Sequence, residues 1–275
     1  MICSEEMRSW CLSLCLVATL GCRRNKEPDP IGPGLRPQPQ PQQQPPVFHA
    51  PWTDGGSPGG LTKNPEMPID PAKPMPARSL STDAALELGK PTTVLVDGRA
   101  DVFSAGLTKA DQRHGGTLPA LLTLVGGGGY ITFSAVKGAV GCMVGATTPP
   151  DGGSCAGGNT DITAVNGISG IVDHQHTQFL VGVFLGPLAS STAPPTLDFS
   201  EAAKGESFAE LAPLIGQTFY IGDGSTRSGL NQRFVIPAGA TRFYLAFADA
   251  FAFQGAPGAY GDNTGGFAVT LTQAK

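Results

Sequence analysis

Positive charge is scarce in this chain. Its 275 residues carry 18 Lys and Arg against 22 Asp and Glu, and no basic run extends beyond Arg23, Arg24 and Lys26. A protein that tracks a phosphate backbone needs clustered cations to displace counterions, so no nucleic-acid partner is expected. Long hydrophobic runs are missing too. The N-terminal one, over residues 10–20, is too short to cross a hydrocarbon core of ~30 Å as a helix. A sustained helical apolar period is also lacking, which argues against a parallel α/β sheet. Cysteine is nearly absent from the body of the chain. Of six, Cys3, Cys11, Cys15 and Cys22 lie in or beside the N-terminal apolar segment, and only Cys142 and Cys155 lie beyond it.

The N-terminus is read as an export signal. Arg8 precedes the apolar run, which ends Thr19-Leu20-Gly21-Cys22, and its length matches a signal h-region. Small residues before a cysteine suit lipoprotein signal peptidase, which takes the lipid-modified cysteine as the new first residue. The segment resembles a bacterial lipobox, with Thr19 where Leu is commoner; a plain secretory signal is the alternative. Glu5 and Glu6 stand where an n-region should be positive, which makes Met7 an alternative start. A diacylated Cys22 would supply two acyl chains, enough for stable anchoring. The expected location is the cell envelope, with the protein lipid-anchored to a bacterial membrane, at the outer membrane or cell surface. Fifteen of the 25 prolines then fall between Pro28 and Pro76, around PQPQPQQQPP and GGSPGG. Such a stretch cannot close a core and favours extended, flexible states; the isolated His49 and Trp52 carry no reading. The expected division is therefore signal peptide 1–21, disordered Pro/Gln/Gly-rich tether 22–80, and one domain, 81–275.

Within that domain, short apolar runs alternate with Gly, Pro, Asp and Asn, as an all-β fold requires. After one helical turn at 84–88, strands are expected at 93–96, 100–103, 121–125, 130–135, 179–185, 218–221, 232–236, 242–247 and 266–271. In the last, Phe267, Val269 and Leu271 share one face, with Ala268, Thr270 and Thr272 on the other. The four glycines Gly126 to Gly129 and Pro237-Ala238-Gly239-Ala240 read as tight connections. The fold class expected is an all-β, jelly-roll-like two-sheet β-sandwich. In an oxidising compartment Cys142 and Cys155 would pair, closing a loop of about 14 residues for roughly 3 kcal/mol; two buried free thiols are the alternative.

Oxygen-bearing side chains concentrate between Asp249 and Thr264. Asp249 stands at the end of one predicted strand, and Asp262 and Asn263 stand just before the last. If those strand ends meet, carboxylate, amide and carbonyl oxygens converge, and calcium takes six to eight of them. A plain Asx turn is the simpler account of Asp262 and Asn263. The blocks ITFSA, RFVIPAGATRFYLAFAD and APGAYGDNTGGFAVTL, over roughly 130–272, resemble the bacterial galactophilic, calcium-dependent lectins (the PA-IL-like group). Pro257, Gly258, Tyr260, Gly261, Asn263, Gly265, Phe267 and Val269 carry the resemblance. It implies a small galactose-binding-like sandwich in which calcium bridges protein and sugar hydroxyls. The implied ligands are Asp249, the carbonyl of Ala259, Asp262 and Asn263, with a further carbonyl near Val140 or Gly141. Asp249 and Asp262 would also accept hydrogen bonds from the carbohydrate. The chain departs from the family in a longer loop between Asp249 and Asp262. It also lacks a His-Pro-x-Gln sugar-contacting loop between Ala156 and Val172.

Three other motifs compete. His174 and His176 would face the same way on a strand, as a zinc pair does, but no third ligand is evident and they are read as exposed edge histidines, with zinc the alternative. Asp223-Gly224-Ser225 reads as a loop. Gly167-Ile168-Ser169-Gly170 lacks the spacing of a nucleophile elbow, and Asp249 with Asp262 is the one carboxylate pair suited to acid/base work. No enzyme activity is expected. The sequence thus points to a membrane-anchored surface lipoprotein that binds carbohydrate through calcium. A structural or adhesive surface module without sugar binding, or a secreted hydrolase, stands as the alternative.

Overall fold

The computed structural model describes residues 84–110, 114–143 and 145–275; the signal, Cys22 and the tether lie outside them. In chain order the strands are β1 (Ala84–Ala85), β2 (Thr92–Asp97), β3 (Ala120–Thr123), β4 (Tyr130–Met143), β5 (Ala146–Thr148), β6 (Thr160–Ile162), β7 (Ile171–Asp173) and β8 (Val181–Leu185). Then follow β9 (Leu197–Asp198), β10 (Glu210–Leu211), β11 (Thr218–Tyr220), β12 (Arg233–Val235), β13 (Arg242–Ala246), β14 (Gln254–Gly255) and β15 (Thr264–Ala274). One sheet runs β1-β3-β13-β8-β11. A second runs β10-β12-β4-β15-β2, with β5 on β4, and a small third runs β14-β6-β7-β9. The sheets are mixed: β1–β3, β10–β12, β14–β6 and β7–β9 pair parallel. Among the described residues no helix is long and apolar enough to cross a membrane.

The expected two-sheet β-sandwich is present, and its core is aromatic. Phe184, Phe219 and Phe243 project from the first sheet onto Phe133 and Phe234 of the second. Phe219 meets Phe234 at 5.4 Å between ring centroids, and Phe133 meets Phe243 at 6.5 Å. Burial of such rings drives the two faces together. Gly182 of β8 is what lets them close: a Cβ there would lie 2.8 Å from both Ile221 and Phe243. On β15 the alternation holds. Phe267, Val269 and Leu271 are buried, and Gln273 continues their face, clamping Val125 by donating to its carbonyl and accepting from its N–H.

Some elements differ from expectation. Residues 84–88 form no helical turn. Ala84 and Ala85 pair with β3 and Leu86 enters the core, because period-two burial outweighs the helix preference of Ala and Leu. Over 100–103 only Ala100 and Asp101 make isolated bridges, to Thr117 and Phe247. The Asp101 carboxylate accepts from the Phe103 N–H and so turns Val102–Ser104 into a 3-10 helix. The strand at 130–135 continues to Met143 through a register shift against β15.

Candidate functional site

Asp249 and Asn263 approach from opposite sheets rather than from neighbouring strands. Asp249 follows the end of β13 in the first sheet, Asn263 precedes the start of β15 in the second, and their side chains meet there. Asn263 Nδ2 donates to Asp249 Oδ2 at 2.7 Å, and the Ala250 N–H donates to Asp249 Oδ1 at 2.7 Å. The intervening loop is pinned by Tyr260, which is buried; its hydroxyl accepts from the Asp249 N–H at 3.1 Å and donates to the Phe247 carbonyl at 3.2 Å. The Gly258 N–H returns to the Asp249 carbonyl at 2.9 Å. Ala259 lies between these ties with φ 68°, a left-handed conformation that costs a non-glycine residue about 1 kcal/mol or more. The carbonyl expected near Val140 or Gly141 belongs to no loop. Both residues lie in β4, where Gly141 pairs with Thr264 and Val140 with Gly265, one step from Asn263.

Asp249 is 3% exposed, and desolvation raises its carboxyl pKa from 3.8 to about 7. Hydrogen bonds from Asn263 and Ala250 oppose that shift, while the charges of Asp262 and Asp101 add to it. Asp262 itself is exposed. Asn263 Oδ1 is buried and has no hydrogen-bond partner, which ordinarily costs about 1–3 kcal/mol. A buried carboxylate, a second carboxylate near enough to repel it and a bare amide oxygen make a donor set of hard oxygens that suits calcium.

Other residues around this pair had no sequence signal. Asp101, 6% exposed, bears on both Asp249 and Tyr260. His114 packs over Gly258, since a Cβ there would lie 2.9 Å from its Nδ1. Phe251 projects into solvent, 87% exposed, two residues from Asp249. The longer loop is anchored along its length. Ala250 bridges Pro257, β14 pairs with β6, and Phe253 packs on the disulfide that Cys142 and Cys155 form.

The competing motifs resolve differently. His174 and His176 follow the end of β7 in a turn, so the same-face geometry of a strand does not apply. There the Asp173 carboxylate accepts from the Gln175 and His176 N–H groups. Asp223 is an Asx turn, accepting from the Ser225 N–H. Ser169 is sealed in the core, where its Oγ donates to the Gly170 carbonyl and accepts from the Thr218 N–H. No known protein family, curated protein or solved structure matches the chain.

Proposed function

We propose that this is a surface lipoprotein whose sandwich domain binds carbohydrate through a calcium ion held by Asp249, Asp262, Asn263 and the Ala259 carbonyl. The observation that carries the reading is the buried Asp249 carboxylate beside the partnerless Asn263 Oδ1. Calcium would supply open coordination positions for vicinal sugar hydroxyls, which are neutral and lose little by exchanging water for a cation. The residues do the rest. Asp249 and Asp262 accept hydrogen bonds from those hydroxyls, Tyr260 keeps the loop in place, and Phe251 offers an apolar face to the sugar ring. No step in this scheme needs a catalytic group.

The second reading is a stabilising loop in a structural or adhesive module. Its support is that both Asp249 oxygens already accept hydrogen bonds from within the domain. Thermal melting with calcium or EDTA, followed by a glycan array in each condition, separates the two. A calcium-induced rise in Tm with calcium-dependent glycan capture fits the lectin. A rise with a blank array leaves the stabilising role, and no rise at all refutes the ion site. The anchor is tested separately, since Cys22→Ser should move the protein from the membrane to the soluble fraction.

A further inference from the structure

A second constellation lies at the end of β7 in the small third sheet, from residues other than those around Asp249. Asp173 ends β7, His176 follows in the next turn, and Glu206 arrives from the segment between β9 and β10. One ligand-capable atom from each lies within 4.8 Å of the others. His176 Nδ1 and Glu206 Oε1 are 2.5 Å apart. Asp173 is 0% exposed. Its Oδ1 is committed to the turn, accepting from the Gln175 N–H at 2.8 Å and the His176 N–H at 3.2 Å. Its Oδ2 is buried and has no hydrogen-bond partner.

A turn-capping aspartate needs one oxygen, and a buried second one beside the Glu206 carboxyl is costly unless a cation, or a proton held by Glu206, meets it. Among the described residues no Lys or Arg pairs with Asp173 or Glu206. Two carboxyl groups and an imidazole are thus gathered at one point, with no cationic side chain beside them among the described residues. Gln232 fixes the backbone behind it, its Nε2 donating to the Glu206 and Phe208 carbonyls at 2.7 and 2.9 Å.

We propose that Asp173 Oδ2, His176 Nδ1 and Glu206 form a metal site for a divalent first-row transition ion of the Zn2+ class. One imidazole nitrogen with two carboxylates suits such an ion, whereas calcium wants more oxygens and little nitrogen. Bond lengths of about 2.0–2.2 Å place ligand atoms on a tetrahedral ion roughly 3.3–3.6 Å apart, so His176 Nδ1 and Glu206 Oε1 must move apart to admit the ion while any wider gap in the cluster closes. The movable side chains are those of His176 and Glu206, 34% and 12% exposed, while Asp173 is held by its turn. The ion displaces the proton shared between His176 and Glu206. Three protein ligands leave a coordination position, and the exposed His176 side is where water or a small anion would occupy it.

The test uses the full chain, stripped with EDTA and dialysed. Zn2+ affinity is read by competition with a chromophoric chelator, and Co2+ by its visible absorption. One equivalent should bind with a cobalt spectrum of a nitrogen/oxygen site. His176→Ala and Glu206→Gln should each weaken Zn2+ at that equivalent at least tenfold and abolish the cobalt band. His174→Ala and Asp249→Asn should leave both unchanged, which separates this site from the calcium reading. The conservative Glu206→Gln guards against misfolding, and melting of each variant in EDTA checks it. Absence of the band in the wild type, or unchanged Zn2+ affinity in folded Glu206→Gln and His176→Ala proteins, overturns the proposal.

Discussion

Replacing Asp249 by Asn should stabilise the domain without calcium and abolish its response to calcium, two effects of opposite sign from one substitution. In the folded state the Asp249 carboxyl moves from 3.8 to about 7, chiefly by desolvation. Between those pH values the native state keeps a proton that the unfolded chain releases, so stability falls as pH rises through that window and the whole loss is present above it. At 1.36 kcal/mol per pH unit the loss is about 4 kcal/mol, an upper figure because the site relaxes on ionisation. Asparagine copies the protonated shape. Asn263 accommodates it by rotating its amide, which brings its partnerless Oδ1 to face the NH2 group introduced at position 249. If half the figure survives, Asp249→Asn should raise Tm in EDTA at pH 8 by about 4–8 °C, at roughly 2–4 °C per kcal/mol. At pH 4 the two proteins should melt together. Calcium at a hundredfold excess over Kd should add about 2.7 kcal/mol to the wild type and nothing to the variant. Differential scanning calorimetry at pH 4 and 8, with EDTA or calcium, reads all four arms. A variant less stable than wild type in EDTA at pH 8, or one that still gains stability from calcium, refutes the reasoning.

The aromatic seam makes a sharper packing test: Gly182→Ala forces a methyl to within 2.8 Å of Ile221 and Phe243, and urea unfolding should show a loss of about 1–3 kcal/mol. Reducing the Cys142–Cys155 bridge, or replacing both cysteines by Ser, should cost roughly 3 kcal/mol, seen as a lower denaturation midpoint with an m-value that rises as the unfolded chain expands. Phe251→Ala, at a side chain 87% exposed, should leave stability within about 0.5 kcal/mol while weakening calcium-dependent glycan capture. Equal capture by that variant would remove Phe251 from the binding face.

The sequence disclosed the sandwich because its long strands carry strict alternation. In β15 the Phe267, Val269, Leu271 face could only be a half-buried strand, and β13 and β8 are apolar runs flanked by turn residues. The small sheet was illegible for the opposite reason. β6, β7, β9 and β14 have two or three residues each, too few to show a period, and they exist because tertiary neighbours supply their partners. The same limit hid the sites. Asp249 and Asn263 were legible as oxygen-bearing residues at strand ends, but Asp101 reaches them from about 150 positions away in the chain, where it reads only as a local helix cap. Likewise Asp173 and His176 form a recognisable local motif, whereas Glu206, their third partner, sits in a polar segment without any pattern.

The longer loop between Asp249 and Asp262 changes what holds the candidate calcium ligands in place. Tyr260 ties its far end to Phe247 and Asp249. Its middle is tied to the small sheet, where Gly255 accepts from the Thr163 N–H at 2.8 Å. Near its start, Phe253 rests on the Cys142–Cys155 bridge. The first tie is part of the sandwich core and forms with it. The other two depend on a sheet of very short strands and on an oxidised disulfide, so they set how rigidly the loop is presented rather than whether the domain folds. Preorganised ligands bind a cation more tightly than ligands ordered on binding. Reduction should therefore weaken calcium affinity even at temperatures where the sandwich remains folded, and equal affinity in the oxidised and reduced protein would show that Tyr260 alone suffices.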